Sequence, residues 1–280
     1  MPNRIELRQE VNVSPQPENG IFSWIRDSDV SSSDRKEFVA NDAYERAREG
    51  LSDEEVIRED ILDKSSFLKT FRLLLPSLGL VGGERVLEMG ACHGWASVLI
   101  KQRFPGCTVV AADLLEDAIE HATKWEALFE TQLDEKWACH CRHLPFAAAQ
   151  FDLIFTFASF HHFGGSNDFS GALSEMLRVL KPGGRIVLLY EPSCPPFLYG
   201  RAYRAVNRRR EEEGVDEDLL VPARLSKTVG RLGATIRIEY FPEPRFRDSP
   251  VSTIYYFLLS RFRWLCPLAI CTVNVEIAKR

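Results

Sequence analysis

The segment Arg85-Val-Leu-Glu-Met-Gly-Ala-Cys-His-Gly-Trp-Ala-Ser97 constrains this chain more than any other. Val86 and Leu87 read as a buried strand, Gly90 and Gly94 as a tight turn, and Trp95 to Ile100 as the start of a helix. A strand that ends in a glycine turn and runs into a helix leaves bare backbone at the carboxyl edge of a sheet, where a ligand can approach it. Glycine-x-x-x-glycine alone is a weak signal. Its weight comes from the strands and helices that recur at regular intervals downstream of it.

Strands are expected at about 85–89, 107–112, 137–141, 151–157 and 184–190, with helices at 95–103, 115–132 and 167–180. Such alternation predicts a parallel sheet with right-handed crossovers. The fourth and fifth strands are apolar on consecutive residues, as strands covered on both faces should be. The second strand ends in Asp113, and a carboxylate there can accept both hydroxyl hydrogens of a ribose diol. Beyond Glu191, Pro192, Pro195 and Pro196 break the pattern. Helices at 197–213 and 222–232 then precede two alternating strands, 234–241 and 271–278. Ahead of the sheet, residues 1–35 read as a polar arm, pinned to the body by Phe22 and Trp24 or folded over a substrate mouth. Residues 36–79 read as two or three helices, with apolar positions from Ile57 to Leu75 at helical spacing.

Four segments, the glycine turn, Leu144-Pro145-Phe146 before Phe151-Asp152, Ala158 to Phe163, and Lys181-Pro182-Gly183-Gly184 before an apolar strand, occur in this order. In this order they resemble the class I S-adenosylmethionine-dependent methyltransferases, particularly the broad small-molecule group. The resemblance covers roughly residues 60–192. It implies an α/β, Rossmann-like, seven-stranded and mostly parallel sheet with helices on both faces, an antiparallel last strand and an N-terminal helical cover. The expected division is an arm and cover at 1–79, then a methyltransferase domain at 80–280 with insertions at about 193–221 and 242–270. The implied cofactor is S-adenosylmethionine, leaving as S-adenosylhomocysteine. Its expected neighbours are Glu88, Gly90, Ala91, Cys92 and Gly94 in the first turn, Asp113 on the ribose, Leu114 on adenine, and Phe157 and Ala158 after the fourth strand. Two positions depart from the family pattern. Cys92 stands where glycine is frequent, which predicts a slightly different turn, because a left-handed backbone is costlier there. No acid precedes Leu144, so backbone groups of Arg142 and His143 are assigned to the adenine amino group.

Methyl transfer is an in-line displacement in which positioning supplies much of the rate, so the cofactor pocket should be better marked than the base. His161, His162 and Glu191 lie at the active edge and are the candidate catalytic groups, since imidazole titrates near neutrality. Trp24, Tyr44, Tyr190, Tyr199 and Tyr203 are candidates to line the acceptor site. The expected reaction is O- or N-methylation of a small molecule in natural-product, sugar or lipid biosynthesis. The rival reading is a non-catalytic protein that keeps the fold for binding or partnership. A nicotinamide oxidoreductase is disfavoured, because the turn lacks G-x-G-x-x-G.

The net charge of −5 argues against a nucleic-acid partner. The first ten residues are charged, no run reaches the length of a spanning helix, and seven cysteines make an odd count. Together these predict a cytoplasmic protein with reduced thiols. Residues 139–143, Cys-His-Cys-Arg-His, suggest a metal, but on a strand His140 faces away from the two cysteines, so no metal is expected. The 242–270 insertion reads either as a helical hairpin packed on the body or as an apolar lip at 251–270 for a greasy substrate or a membrane surface, with Arg261 and Arg263 at headgroup level. The oligomeric state is not fixed by these residues, a homodimer being the assembly considered.

Overall fold

The computed structural model describes residues 7–8, 20–25, 30–164, 167–208, 217–247 and 249–279. Most of the N-terminal arm and the charged run after Arg208 lie outside them. The elements in order are β1 (Ile21–Trp24), α1 (Ser32–Ala47), α2 (Asp53–Asp63), α3 (Ser65–Leu74), β2 (Arg85–Met89), α4 (Trp95–Arg103), β3 (Thr108–Asp113), α5 (Glu116–Glu120), α6 (Ala122–Leu128) and β4 (Glu135–Cys139). They continue with β5 (Phe151–Phe157), α7 (Ser170–Val179), β6 (Leu180–Ser193), α8 (Tyr199–Asn207), α9 (Pro222–Arg231), β7 (Thr235–Tyr240), α10 (Pro250–Arg261) and β8 (Cys271–Ala278).

The strands form one sheet in the order β1-β4-β3-β2-β5-β6-β8-β7. Neighbours from β1 to β6 pair in parallel, while β8 runs antiparallel to both β6 and β7. Neighbouring residues of β2 and β3 serve opposite faces. Val86 and Val109 belong to one apolar cluster, Leu87 and Val110 to the other, and all four are fully buried. Consecutive apolar residues are thus consumed by two cores, one on each side of the sheet.

The sheet has one strand more than expected. Ile21–Trp24 leaves the arm and pairs with Lys136–Cys139, adding an eighth strand at the β4 edge. Phe22 stacks on Trp137 at 4.7 Å, and Trp24 packs on the same core, so both aromatics pin the arm. Four residues are too short a stretch for period-2 alternation to stand out. The Lys181–Gly184 turn lies within β6 as an irregularity between the Phe151 and Leu153 pairings, rather than before the strand. A Cβ at Gly184 would sit 2.9 Å from the Asp152 carbonyl, so only glycine lets the strands close there. The helix expected at 115–132 is broken into α5 and α6 at His121. The cover has three helices. Reciprocal capping boxes, Ser31 with Asp34 and Ser52 with Glu55, start α1 and α2, the first four residues ahead of the expected boundary. No described helix is long and apolar enough to cross a membrane.

Candidate active site

Asp113 ends β3, beside the turn that leaves β2. Its Oδ2 accepts the Cys92 N–H at 2.6 Å and its Oδ1 accepts the Leu115 N–H at 3.0 Å. Burial raises its carboxyl above the ordinary range, with these amides pulling the other way. The Ala91 N–H donates to the Ala112 carbonyl and the Gly94 N–H to the Ala91 carbonyl, which closes the turn on itself and on β3. Gly90 (φ +68°), Cys92 (+48°) and Gly94 (+68°) are all left-handed. The different turn expected at Cys92 is therefore not formed. The backbone takes the glycine-like conformation at a cost on the order of 1 kcal/mol, which the short bond to Asp113 offsets.

Glu88, at the end of β2, is fully buried and accepts both the Ser97 N–H (2.9 Å) and the Ser97 hydroxyl (2.5 Å). Burial pushes its carboxyl up to about 8. It ties the turn to the first turn of α4.

A cavity of about 280 Å³ opens where the strand ends meet α1. Gly90 and Cys92 border it from the first turn, Asp113 and Leu114 from β3, Cys139 to Cys141 from the end of β4, and Ala158, Ser159 and His162 from beyond β5. Six of the expected site residues thus converge: Gly90, Cys92, Asp113, Leu114, Ala158 and His162. At the end of β4 the wall is Cys139–Cys141, while Arg142 and His143 come just beyond it. Glu88, Ala91 and Phe157 are next to lining residues without lining the cavity themselves, and Gly94 does not line it either.

The remaining wall is α1, and it supplies two carboxylates that no motif announced, Asp34 and Glu37. Asp34 is held at about 2. Burial works against this, but His140, whose Nε2 lies 3.6 Å away, and the Ser31 cap outweigh it. Glu37 moves the opposite way. Burial, then the like charges of Asp113, Asp34 and Glu217, push its carboxyl up to about 8. His162 stands between Glu37 (3.6 Å) and Glu217 (3.7 Å). A carboxyl poised near neutrality beside an imidazole is suited to proton transfer.

His161 and Glu191 have other partners. His161 is clamped between Glu191 (Nδ1–Oε2, 2.8 Å) and Glu217 (Nε2–Oε2, 2.9 Å). Burial opposes its charge, yet the two carboxylates raise it to about 9, so at neutral pH it is an imidazolium. Glu191, fully buried, also accepts the Thr156 hydroxyl and the N–H groups of Ser159, Phe160 and His161. These bonds hold the turn that presents Ser159 and His162 to the cavity. Neither His161 nor Glu191 lines the cavity itself.

Because folding raises the His161 value from 6.5 to about 9, its contribution to stability is full below pH 6.5 and fades as pH rises through 9. On the order of 3 kcal/mol is at stake. The melting temperature of the native chain should therefore fall more steeply between pH 6.5 and 9.5 than that of His161→Gln. Parallel curves in a thermal titration would show that His161 is not charged in the fold.

The aromatic candidates do not gather at one place. Tyr44 donates to Asp60 at 2.6 Å, and Asp60 meets His93 at 2.7 Å. Tyr190, at φ +59°, stacks on Phe157 at 5.7 Å. Tyr199 packs with Cys194 and Leu219 and lies 6.0 Å from Tyr203, while Trp24 is in β1. Among the described residues, two groups have metal-ligand composition, Asp60–His93–His121 and His161–His162–Glu217. In the first, the Lys64 ammonium sits 2.9 Å from His93 and already supplies a cation. Lys64 and His93 also bring the Cys92 thiol to about 7 against the desolvation around it.

Residues 87–188 match the family model described as a methyltransferase domain. A demethylmenaquinone methyltransferase of Thermus thermophilus is 34% identical over 128 residues, 45% of this chain and 56% of that protein. A fatty-acid O-methyltransferase of Mycolicibacterium smegmatis is 30% identical over 117 residues, 42% of this chain and 40% of that protein. This chain spans about half the length of the curated relatives it matches. Geranyl diphosphate C-methyltransferase of Streptomyces coelicolor shares the fold at a TM-score of 0.58 and 15% identity, over 75% of this chain and 78% of that one. The central segment of this chain, residues 87–188, is thus similar to methyltransferase domains, and the chain shares the fold of solved methyltransferases.

Proposed function

We propose that this chain binds S-adenosylmethionine in the acid-lined cavity and transfers the methyl group to a small molecule. One observation carries the reading: Gly90, Asp113, Leu114 and Ala158, from the ends of β2, β3 and β5, border a single cavity closed by carboxylates. The donor set fits the cofactor. Asp113 suits a ribose diol, Leu114 an adenine face, and Asp34 and Glu37 a sulfonium cation. When bound, the cofactor supplies a methyl group on an electron-poor sulfur.

The chain's residues then orient and deprotonate the acceptor. Glu37 takes the acceptor proton. His162, between Glu37 and Glu217, carries it onward, while the charged His161 holds Glu217 in place. Relatives are named both as carbon and as oxygen methyltransferases, which supports an acceptor carrying an ionisable oxygen acid or an activated C–H. The biosynthetic names of these relatives support the same setting here.

Calorimetry tests the reading. Both S-adenosylmethionine and S-adenosylhomocysteine should bind. Only the first, a cation, should lower the Glu37 value and so release a proton at pH 7, seen as a heat that depends on the buffer. Absence of binding at millimolar ligand would remove the proposal.

A further inference from the structure

α10 carries an apolar stripe on the wrong side for a core helix. Val251, Ile254, Tyr255, Leu258 and Phe262 recur at i, i+3, i+4, i+7 and i+11, spacing that normally faces the interior. Here they are 39 to 78% exposed, and Leu259 alone in the helix is buried. Trp264 (70% exposed) and Leu268 (55%) extend the surface past the helix end. Contiguous apolar surface of this kind marks a contact site.

We propose that this face seats the protein on an anionic lipid bilayer. Charge decides between occupants. Residues 242–270 hold four arginines against Glu243 and Asp248, in a chain whose net charge is −5. Arg261 and Arg263 flank the apolar stripe, Arg263 also donating to the Tyr240 carbonyl at 3.0 Å and lying 3.8 Å from Glu239, and at this edge they can meet lipid phosphates while Trp264 and Phe262 enter the headgroup boundary. A symmetric pairing of two copies through the same face would instead bring these arginines against each other.

The face also communicates with the site. The Arg247 guanidinium lies over the Tyr256 ring at 3.3 Å and over Tyr190 at 5.3 Å. Tyr190 joins Phe67, Phe157 and Phe241 in an aromatic wall that leads toward Ala158. A seated protein would draw its acceptor from the membrane, which makes that acceptor an amphiphile. This last step, unlike the seating, rests on the methyl-transfer reading.

The experiment is co-sedimentation of the full chain with vesicles of phosphatidylcholine alone or mixed equally with phosphatidylglycerol. The native chain should partition about tenfold more strongly onto the anionic vesicles, and the advantage should shrink as salt is raised. The double variant Ile254→Ser, Trp264→Ser should lose about tenfold of that partition with its melting temperature unchanged, because both side chains are exposed in the fold. Equal partition of variant and native chains, or no partition at all, overturns the proposal. So does a concentration-dependent dimer that the same variant abolishes, which would assign the face to a second copy. Binding of S-adenosylhomocysteine by both proteins, read separately, keeps a failure of seating distinct from a failure of the cofactor reading.

Discussion

Glu37→Gln should lower kcat about a hundredfold or more while leaving S-adenosylhomocysteine affinity nearly intact, because a positioned proton acceptor contributes about 10²- to 10⁴-fold. The rate of the native chain should climb with pH toward the Glu37 value of about 8, earlier once the sulfonium cation is present, and the variant should lose that limb. Stability should move the opposite way. Folding raises the Glu37 value from 4.5 to about 8, so the native chain is penalised progressively above pH 4.5, and the penalty is complete above pH 8. Relieving it should stabilise Glu37→Gln at pH 8 by on the order of 2 kcal/mol, the side chain's 28% exposure having softened the full effect. At pH 4 the two proteins should melt together. A variant that is slower and no more stable at pH 8 would show that Glu37 is not held in its protonated form.

Asp113→Ala should cost about a hundredfold in cofactor affinity, ~2.7 kcal/mol. Two losses combine. The ribose loses its acceptor, and the left-handed Cys92 loses the 2.6 Å bond that holds its N–H. Asp113→Asn keeps one carbonyl oxygen for that N–H and should lose only about tenfold. Adding Cys92→Gly to Asp113→Ala should recover part of the loss, since glycine adopts φ +48° without strain. Calorimetry with S-adenosylhomocysteine measures all three variants. If Asp113→Ala stays within about threefold of the native chain, the ribose assignment fails.

The features legible in the residues are the local ones. The β2 turn, Asp113 and the strand alternation lie within short stretches of chain, where apolar period and glycine placement report directly on backbone geometry. The β2, β5, α4 and β8 boundaries fall where the pattern puts them. Cys92 departs from its local preference because a hydrogen bond to Asp113, distant in sequence, offsets the strain. Glu37 is invisible in the sequence for a stronger reason. It sits in a helix without a motif, and its perturbed carboxyl arises first from burial and then from Asp113, Asp34 and Glu217, all supplied only by the fold. His161 and Glu191 are legible as residues at the carboxyl edge of the sheet, but the clamp on His161 also needs Glu217, which no spacing connects to them.

The way α1 is fastened has a kinetic consequence. None of its described side chains is fully buried, and neither apolar core includes it. Three of its acids instead face histidines on the body, Asp34 with His140, Glu37 with His162, and Glu45 with His121. Lifting it therefore leaves both apolar cores intact and breaks a small set of side-chain contacts, the Tyr44–Asp60 hydrogen bond among them. On the methyl-transfer reading, exchange of spent cofactor can then proceed by a local opening far cheaper than global unfolding.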